Sequence, residues 1–216
     1  MTSYAQEKED LILYSILHNV EYGNYIDVGA NDPDFISVTK LFYELGWHGM
    51  NIEPLEDKYQ RLVEKRPRDI NLNIGIGKEY GVLKLHCLDT GSTFSDEIVE
   101  ICNYQAYPTK DVEMFTLSEI VDNKFFRGIE IHFCKIDVEG FEKEVLLGID
   151  DWDKFRPWVY CIESTIPATD IPCYDAWEYM LLEHGYKLVL AHGINRYYID
   201  IEREQDLDLT GLKQFE

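Results

Sequence analysis

Carboxylates stand at the ends of several apolar, strand-like runs of this sequence. The runs YIDV, MNIEP, KIDV and YCIE carry them as Asp27, Glu53, Asp137 and Glu163. One acid in such a place is often no more than a helix N-cap. Ligands of an open parallel sheet, however, bind beyond the carboxyl ends of its strands. Four acids at such ends therefore predict a site rich in acceptor groups along one edge of a sheet.

The first two acids suit a nucleoside ligand. Gly29 lets backbone approach the ligand closely, and Glu53, 26 residues after Asp27, is placed to accept both ribose hydroxyls. The dinucleotide pattern G-x-G-x-x-G is absent, and an acidic loop would repel a diphosphate. A cationic cofactor such as S-adenosylmethionine (SAM) would be attracted instead. We predict that the cofactor-binding residues are Asp27, Gly29, Asn31, Glu53, Gly75 and Asp137, with Asp27 facing the methionine end or, alternatively, serving only as a turn acceptor.

The later acids suit the reacting end of the site. If the methyl group of such a cofactor passes to a hydroxyl, the transfer needs alignment and removal of the hydroxyl proton. We predict that Asp137 and Glu163 hold Mg²⁺, which would bind the acceptor oxygen. The open alternative is a general base without metal, for which Asp137, Glu139 and His192 are the candidates. Glu139 also fits the plain role of an acid in the first turn of a helix.

Recognition of the acceptor is predicted for Glu163, Asn195 and Arg196. Asn195 and Arg196 fall, with His192, near the turn between the last two strand-like runs. An amide and a guanidinium offer several hydrogen-bond donors in a small space, which suits recognition of a sugar or a carboxylate in a small-molecule or glycan acceptor. The alternative for Arg196 is an ion pair with one of the many surface acids.

An alternation of strands and helices positions these residues. Apolar runs that predict strands are YIDV, HGMNIEP, DINLNIGI, IEIHFCKIDV, PWVYCIES, YKLVLA and NRYYIDI, and helical spacing recurs over 4–20, 38–45, 55–66, 141–149 and 174–184. GVLKLHCL and DVEMF predict an inserted β-hairpin. The pattern favours an α/β domain with a mostly parallel sheet and helices on both faces. We predict one domain over 1–216, with a leading helix in 1–21, a core over 22–200 and a tail over 201–216.

The charge balance limits the choice of partners. The 216 residues include 41 acidic and 20 basic ones, a net charge of −21, which disfavours nucleic acid and anionic membranes. No apolar run approaches the ~20 residues that span a bilayer, and the N-terminus does not read as a secretory signal. We therefore expect a cytoplasmic protein without membrane insertion.

The chain resembles the FkbM family of SAM-dependent methyltransferases in six segments, which are YIDVGAND, SVTKLFYELGWHGMNIEP, RDINLNIGIG, KIDVEGFEKEVLLGID, RPWVYCIEST and HGINRYYI. KIDVEGFE after a buried strand is the most specific of these. The resemblance implies a Rossmann-like, seven-stranded methyltransferase fold and O-methylation, most often of sugars in polysaccharides or glycosylated metabolites. One departure is Asp32-Pro33, where family members often have glycine, and this proline stiffens the loop.

Two other functions remain open at this point. One is a non-catalytic relative that keeps the fold and binds a nucleoside or a glycan. The other is an NAD-dependent oxidoreductase, which the missing third glycine and the acid-rich loop disfavour.

Overall fold

The computed structural model describes residues 1–122 and 127–215. Its strands are β1 Asn24–Val28, β2 His48–Ile52, β3 Ile70–Leu72, β4 Gly75–Ile76, β5 Gly81–His86, β6 Thr109–Phe115, β7 Phe133–Ile136, β8 Val159–Glu163, β9 Tyr186–His192 and β10 Asn195–Asp200. Its helices are α1 Glu9–Leu17, α2 Lys40–Glu44, α3 Glu56–Lys65, α4 Asp96–Ile101, α5 Leu117–Val121, α6 Glu142–Leu147 and α7 Glu178–Glu183. Short 3₁₀ helices occupy 89–91, 174–176, 201–206 and 210–214.

Seven strands form the central sheet in the order β3-β2-β1-β7-β8-β10-β9. The pairs from β3 to β8 are parallel, and β10 runs antiparallel to both β8 and β9. The chain therefore builds outward from β1 on one side and then returns to build outward from β7 on the other. That reversal between β1 and β7 is where an open α/β sheet opens a crevice for ligands.

Helices cover both faces of this sheet, as the sequence predicts. Ile26 and Val28 pack with side chains of α5, α6 and α7, whereas Tyr25 packs with α1 and α2 on the opposite face. Because side chains alternate along a strand, Asp27 shares the face of Tyr25. Its carboxylate accepts a hydrogen bond from Thr39 Oγ1 at 3.0 Å, just before α2 begins. The predicted α/β fold class is confirmed.

The predicted third strand, DINLNIGI, is divided between two sheets. Asn73 interrupts it, because its side-chain amide donates to the backbone oxygens of Glu53 and Pro54 at 2.9 and 3.0 Å. β3 stays in the central sheet, and β4 joins a smaller sheet of order β4-β6-β5. The predicted inserted hairpin is the antiparallel pair of β5 and β6 in this smaller sheet. Its connection is long, since α4 lies between the two strands.

The leading helix is shorter than the predicted range of 4–20. Lys8 adopts a left-handed conformation with φ of 65°, so α1 begins only at Glu9. The segment before it is held by Asp10, whose carboxylate accepts from Tyr4 N at 2.7 Å and from Ser3 Oγ at 2.6 Å. Among the described residues, no helix combines the length and apolar character that crossing a membrane requires.

Candidate functional site

A cavity of about 220 Å³ opens at the carboxyl ends of β1, β2, β7 and β8. All six residues predicted to bind the cofactor line it, namely Asp27, Gly29, Asn31, Glu53, Gly75 and Asp137. Glu139 and Glu163 line it as well, so the structure brings both predicted groups of acids together. His192, Asn195 and Arg196 are not part of its lining.

Gly29 connects the loop after β1 to the loop after β7. Its φ is +80°, and a Cβ added to it would stand 1.9 Å from the carbonyl oxygen of Asp137. The amides of Gly29 and Ala30 both donate to the Ile52 carbonyl, at 3.0 and 3.1 Å. Asp137 N in turn donates to the Val28 carbonyl at 3.1 Å. The two loops are therefore interlocked, and only glycine allows their close approach.

Glu53 ties down the same loop from the end of β2. One carboxylate oxygen accepts from Asn31 N at 2.8 Å, and the other accepts from Leu55 N at 2.7 Å. The residue is only 5 % exposed, and burial raises its pKa to about 7. Each carboxylate oxygen can accept more than one hydrogen bond, so Glu53 can also receive ribose hydroxyls from the cavity.

Backbone strain is concentrated around this cavity. Six non-glycine residues have positive φ in the part of the chain that the structure describes, and four of them line the cavity: Asn31, Ile36, Glu139 and Ala168. Left-handed conformations of this kind cost free energy and tend to persist where a functional geometry requires them. The clustering supports this cavity as the functional site.

Three carboxylates form a cluster at the end of the cavity near β7 and β8. One oxygen each from Asp137, Glu139 and Glu163 lies within 4.8 Å of the others. Glu163 is 4 % exposed, and its Oε2 has no hydrogen-bond partner among the described residues. Burial, reinforced by the neighbouring acids, raises the pKa of Glu139 to about 8 and that of Glu163 well above its usual value. Glu139 therefore favours its protonated form at neutral pH in the protein alone, and Glu163 holds its proton to a higher pH than an exposed glutamate does.

Glu142 is a further buried acid, which the sequence reasoning did not assign to the site. It opens α6, and its Oε1 accepts from Val138 N at 3.1 Å and Gly140 N at 3.2 Å. Burial raises its pKa to about 7. Glu142 thus supports the turn that carries Glu139, whose φ is 56°.

Lys135 is the other site residue that the sequence reasoning missed. It is 7 % exposed and stands beside Asp27 in the pairing of β1 with β7. Its ammonium lies 3.3 Å from Asp27 Oδ1 and 3.3 Å from Asp137 Oδ2, and it donates to the Gly29 carbonyl at 2.7 Å. Burial alone would lower its pKa, but the two aspartates outweigh burial and the pKa is raised. A lysine inside the apolar run IHFCKIDV was the available signal.

His192 and Asn195 lie near Glu163 in the sheet, but their side chains contact residues outside the cavity lining. Asn195 pairs with both Glu163 and His192 in strand register. Its amide nevertheless donates to Glu9 Oε1 at 2.9 Å, on α1. His192 Nδ1 lies 2.7 Å from the Phe215 carbonyl oxygen. Both ring and amide therefore have partners within the protein.

Arg196 is engaged on the other face of β10. Its Nη2 pairs with Glu178 Oε1 at 2.9 Å, and its Nε donates to Tyr198 Oη at 2.9 Å. Its guanidinium carbon lies 3.6 Å from the centroid of the Tyr174 ring. The geometry matches the alternative role for Arg196, an ion pair with a neighbouring acid.

The buried acids predict that the protein loses stability as pH rises. In the folded state the pKa values of Glu53 and Glu142 are about 7, above the usual 4.5, so folding holds protons that the unfolded chain releases. Stability should therefore fall as pH rises from about 4.5 through 7. We expect a melting temperature roughly 5–10 °C lower at pH 8.5 than at pH 6, by differential scanning calorimetry.

A matched variant isolates this effect. Glu142→Gln keeps an acceptor for the amides of Val138 and Gly140 but does not titrate, so the melting temperature should depend less steeply on pH. A wild-type melting temperature that is constant or rises over this interval would contradict the expectation.

The fold and the site together define a class of protein. A seven-stranded sheet in this order, with one antiparallel strand, a glycine loop after β1 and an acid after β2, is the Rossmann-like methyltransferase fold. The chain belongs to the FkbM methyltransferase family, because the model of the Methyltransferase FkbM domain matches residues 27–188.

One solved structure supports this fold. The crystal structure of Methyltransferase FkbM from Methylobacillus flagellatus KT matches with a TM-score of 0.53 and 18 % identity, over 83 % of this chain and 44 % of that one. The chain thus spans less than half the length of that protein. A second solved structure is Sp1610 of Streptococcus pneumoniae, a putative tRNA (m1A22) methyltransferase, with 11 % identity over 99 % of this chain and 79 % of that one. Its TM-score of 0.45 is too low to support a conclusion about this chain. No curated protein matches the chain.

Proposed function

We propose that the protein is a SAM-dependent O-methyltransferase that methylates a hydroxyl of a sugar or polysaccharide precursor. The observation that carries the proposal is the single cavity wall formed by the Gly29 loop, Glu53 and the carboxylate cluster. It joins groups suited to a nucleoside with groups suited to a hydroxyl. The net charge of −21 favours a small-molecule or glycan acceptor over nucleic acid.

The residues present fit SAM. Asn31 Oδ1 is buried without a hydrogen-bond partner among the described residues, and Asp27 Oδ1 has none beyond its ion pair with Lys135. These oxygens and the Asp137 carboxylate suit the ammonium and sulfonium of the methionine end, while Glu53 suits the ribose. When bound, SAM supplies the methyl group as a sulfonium substituent.

The carboxylate cluster has the chemistry to handle the acceptor hydroxyl. Asp137 is the member paired with a cation, Lys135, and we assign it as the group that accepts the hydroxyl proton. Glu139, which favours its protonated form, can orient the acceptor oxygen by donating to it, and the raised pKa of Glu163 suits it to the same role. His192 lies outside the cavity lining, so we no longer favour it as the base.

The alternative to proton transfer to Asp137 is that the same cluster binds a divalent cation. The three oxygens within 4.8 Å could hold Mg²⁺ through Asp137 and Glu163, with Glu139 as a third ligand. If so, exhaustive chelation should reduce methyl transfer at least 100-fold, with recovery on adding Mg²⁺ or Mn²⁺. Affinity for S-adenosylhomocysteine (SAH) should stay within about threefold. Full transfer after chelation would leave proton transfer to Asp137 as the mechanism.

Calorimetry and a transfer assay test the proposal. SAM and SAH should bind to the wild-type protein and NAD should not, and label from [methyl-³H]SAM should pass to members of a panel of sugars and glycans. Binding of SAH without transfer to any of them would favour the non-catalytic relative. Binding of NAD in place of SAH would favour the oxidoreductase.

A further inference from the structure

The buried Lys135 occupies a place that packing alone does not explain. Its ammonium donates a hydrogen bond to the Gly29 carbonyl and forms ion pairs with Asp27 Oδ1 and Asp137 Oδ2, each at 3.3 Å. Desolvating an ammonium is costly unless it is paired, and here the two aspartates pair with it. Lysine is therefore present for its charge or for its contact with the Gly29 loop.

The two aspartates and the lysine form a charge group, here called the Asp-Lys-Asp triad, made of Asp27, Lys135 and Asp137. Asp27 and Asp137 both line the cavity, and so does Lys135. With all three side chains ionised, the triad carries one net negative charge. Without Lys135 it would carry two.

The ligand of the proposed reaction changes charge by one. SAM carries a positive sulfonium that SAH lacks, while the remaining groups of the two molecules are alike. A more negative triad would favour SAM, because attraction to the sulfonium is the one electrostatic term that differs between them.

We propose that Lys135 is a specificity-determining residue that sets how strongly the site prefers the sulfonium substrate to the thioether product. The inference rests on the proposed use of SAM and goes beyond it. Lys135 holds the triad at one net negative charge. The preference for SAM over SAH is therefore weaker than it would be with two negative charges. The hydrogen bond from Lys135 to the Gly29 carbonyl places the ammonium directly against the glycine loop.

A series of charge variants tests this role without knowledge of the acceptor. The measured quantity is the ratio of the dissociation constants of SAH and SAM, obtained by calorimetry at one pH and ionic strength with a chelator present. Lys135→Met should raise the ratio about tenfold, and Asp27→Asn should lower it by a similar factor, as expected when one unit charge changes in a partly screened site. The double variant Asp27→Asn/Lys135→Met restores one net negative charge, so its ratio should return to within about threefold of wild type.

Lys135→Arg serves as the matched control, because it keeps the charge and should leave the ratio near that of wild type. Should Lys135→Met fail to fold, because two aspartates would be left facing each other, the single Asp27→Asn variant and the charge-restored double variant still decide the matter.

A purely structural lysine would behave differently. Its loss would weaken SAM and SAH by the same factor, so the ratio would stay constant across the series, and that result would overturn the inference while leaving SAM binding intact. If the wild-type protein bound neither molecule, the proposed function itself would fail and this inference with it.

Discussion

Gly29→Ala should abolish measurable SAH binding and strongly destabilise the protein. The new Cβ would lie 1.9 Å from the Asp137 carbonyl oxygen, a distance that backbone cannot tolerate, and the φ of +80° disfavours any side chain. The loops after β1 and β7 would have to separate, which breaks the wall of the cavity. We expect the free energy of unfolding to fall by about 3 kcal/mol or more and the SAH affinity to fall by more than 100-fold.

Gly81→Ala is the matched control for this substitution. A Cβ at Gly81 would meet no atom within 4 Å, and its φ is not in the left-handed region. Chemical denaturation should place this variant within about 0.5 kcal/mol of wild type, with unchanged SAH affinity. If Gly29→Ala matched Gly81→Ala in both measurements, the interlock of the two loops would not govern the site.

Glu53→Ala should cause the next largest loss of cofactor affinity. It removes the acceptor from Asn31 N and from Leu55 N, and a buried donor left without a partner costs about 1–3 kcal/mol. It also removes the proposed acceptor of the ribose hydroxyls. We expect SAH to bind roughly 100-fold more weakly by calorimetry, because both the loop and the ligand lose hydrogen bonds.

Two comparisons make this result specific. Glu56→Ala removes an acid of the same type from an exposed position on α3 and should change the affinity less than threefold. In the wild-type protein, affinity should rise as pH increases through about 7, since ionised Glu53 is the better acceptor and binding would release its proton. Glu53→Gln should lose this pH dependence. A loss for Glu56→Ala as large as for Glu53→Ala would point to general electrostatics rather than to a ribose contact.

The strand-end acids were predictable because two simple regularities meet in them. Apolar runs identify buried strands, and the geometry of a parallel sheet brings their carboxyl ends to one edge. Asp27, Glu53, Asp137 and Glu163 follow from that reasoning, and the cavity contains all four. The prediction of helices on both faces of the sheet is confirmed, because it too follows from the geometry of a parallel sheet.

Lys135 escaped this reasoning because a buried cation is not one of the acceptor groups that it considers, although Lys135 holds the same next-to-last place in β7 that Asp27 holds in β1. Only the parallel register of β1 with β7, which no local pattern contains, reveals that it stands beside Asp27. Arg196 shows the opposite difficulty. It stands one residue after Asn195, at the correct sheet edge, but side chains alternate along a strand and its partner Glu178 begins α7. The direction of a side chain is a tertiary property in both cases.

The interlock of Gly29 with Asp137 also has a consequence for how the chain reaches its native state. More than 100 residues separate these two partners along the sequence, so their contact has a high loop-closure cost and we expect it to form late in folding. A nascent chain that has completed β1, β2 and β3 still lacks the opposite wall of the cavity. SAH should therefore bind only after β7 has joined the sheet. SAH added during refolding should stabilise the native state without raising the folding rate.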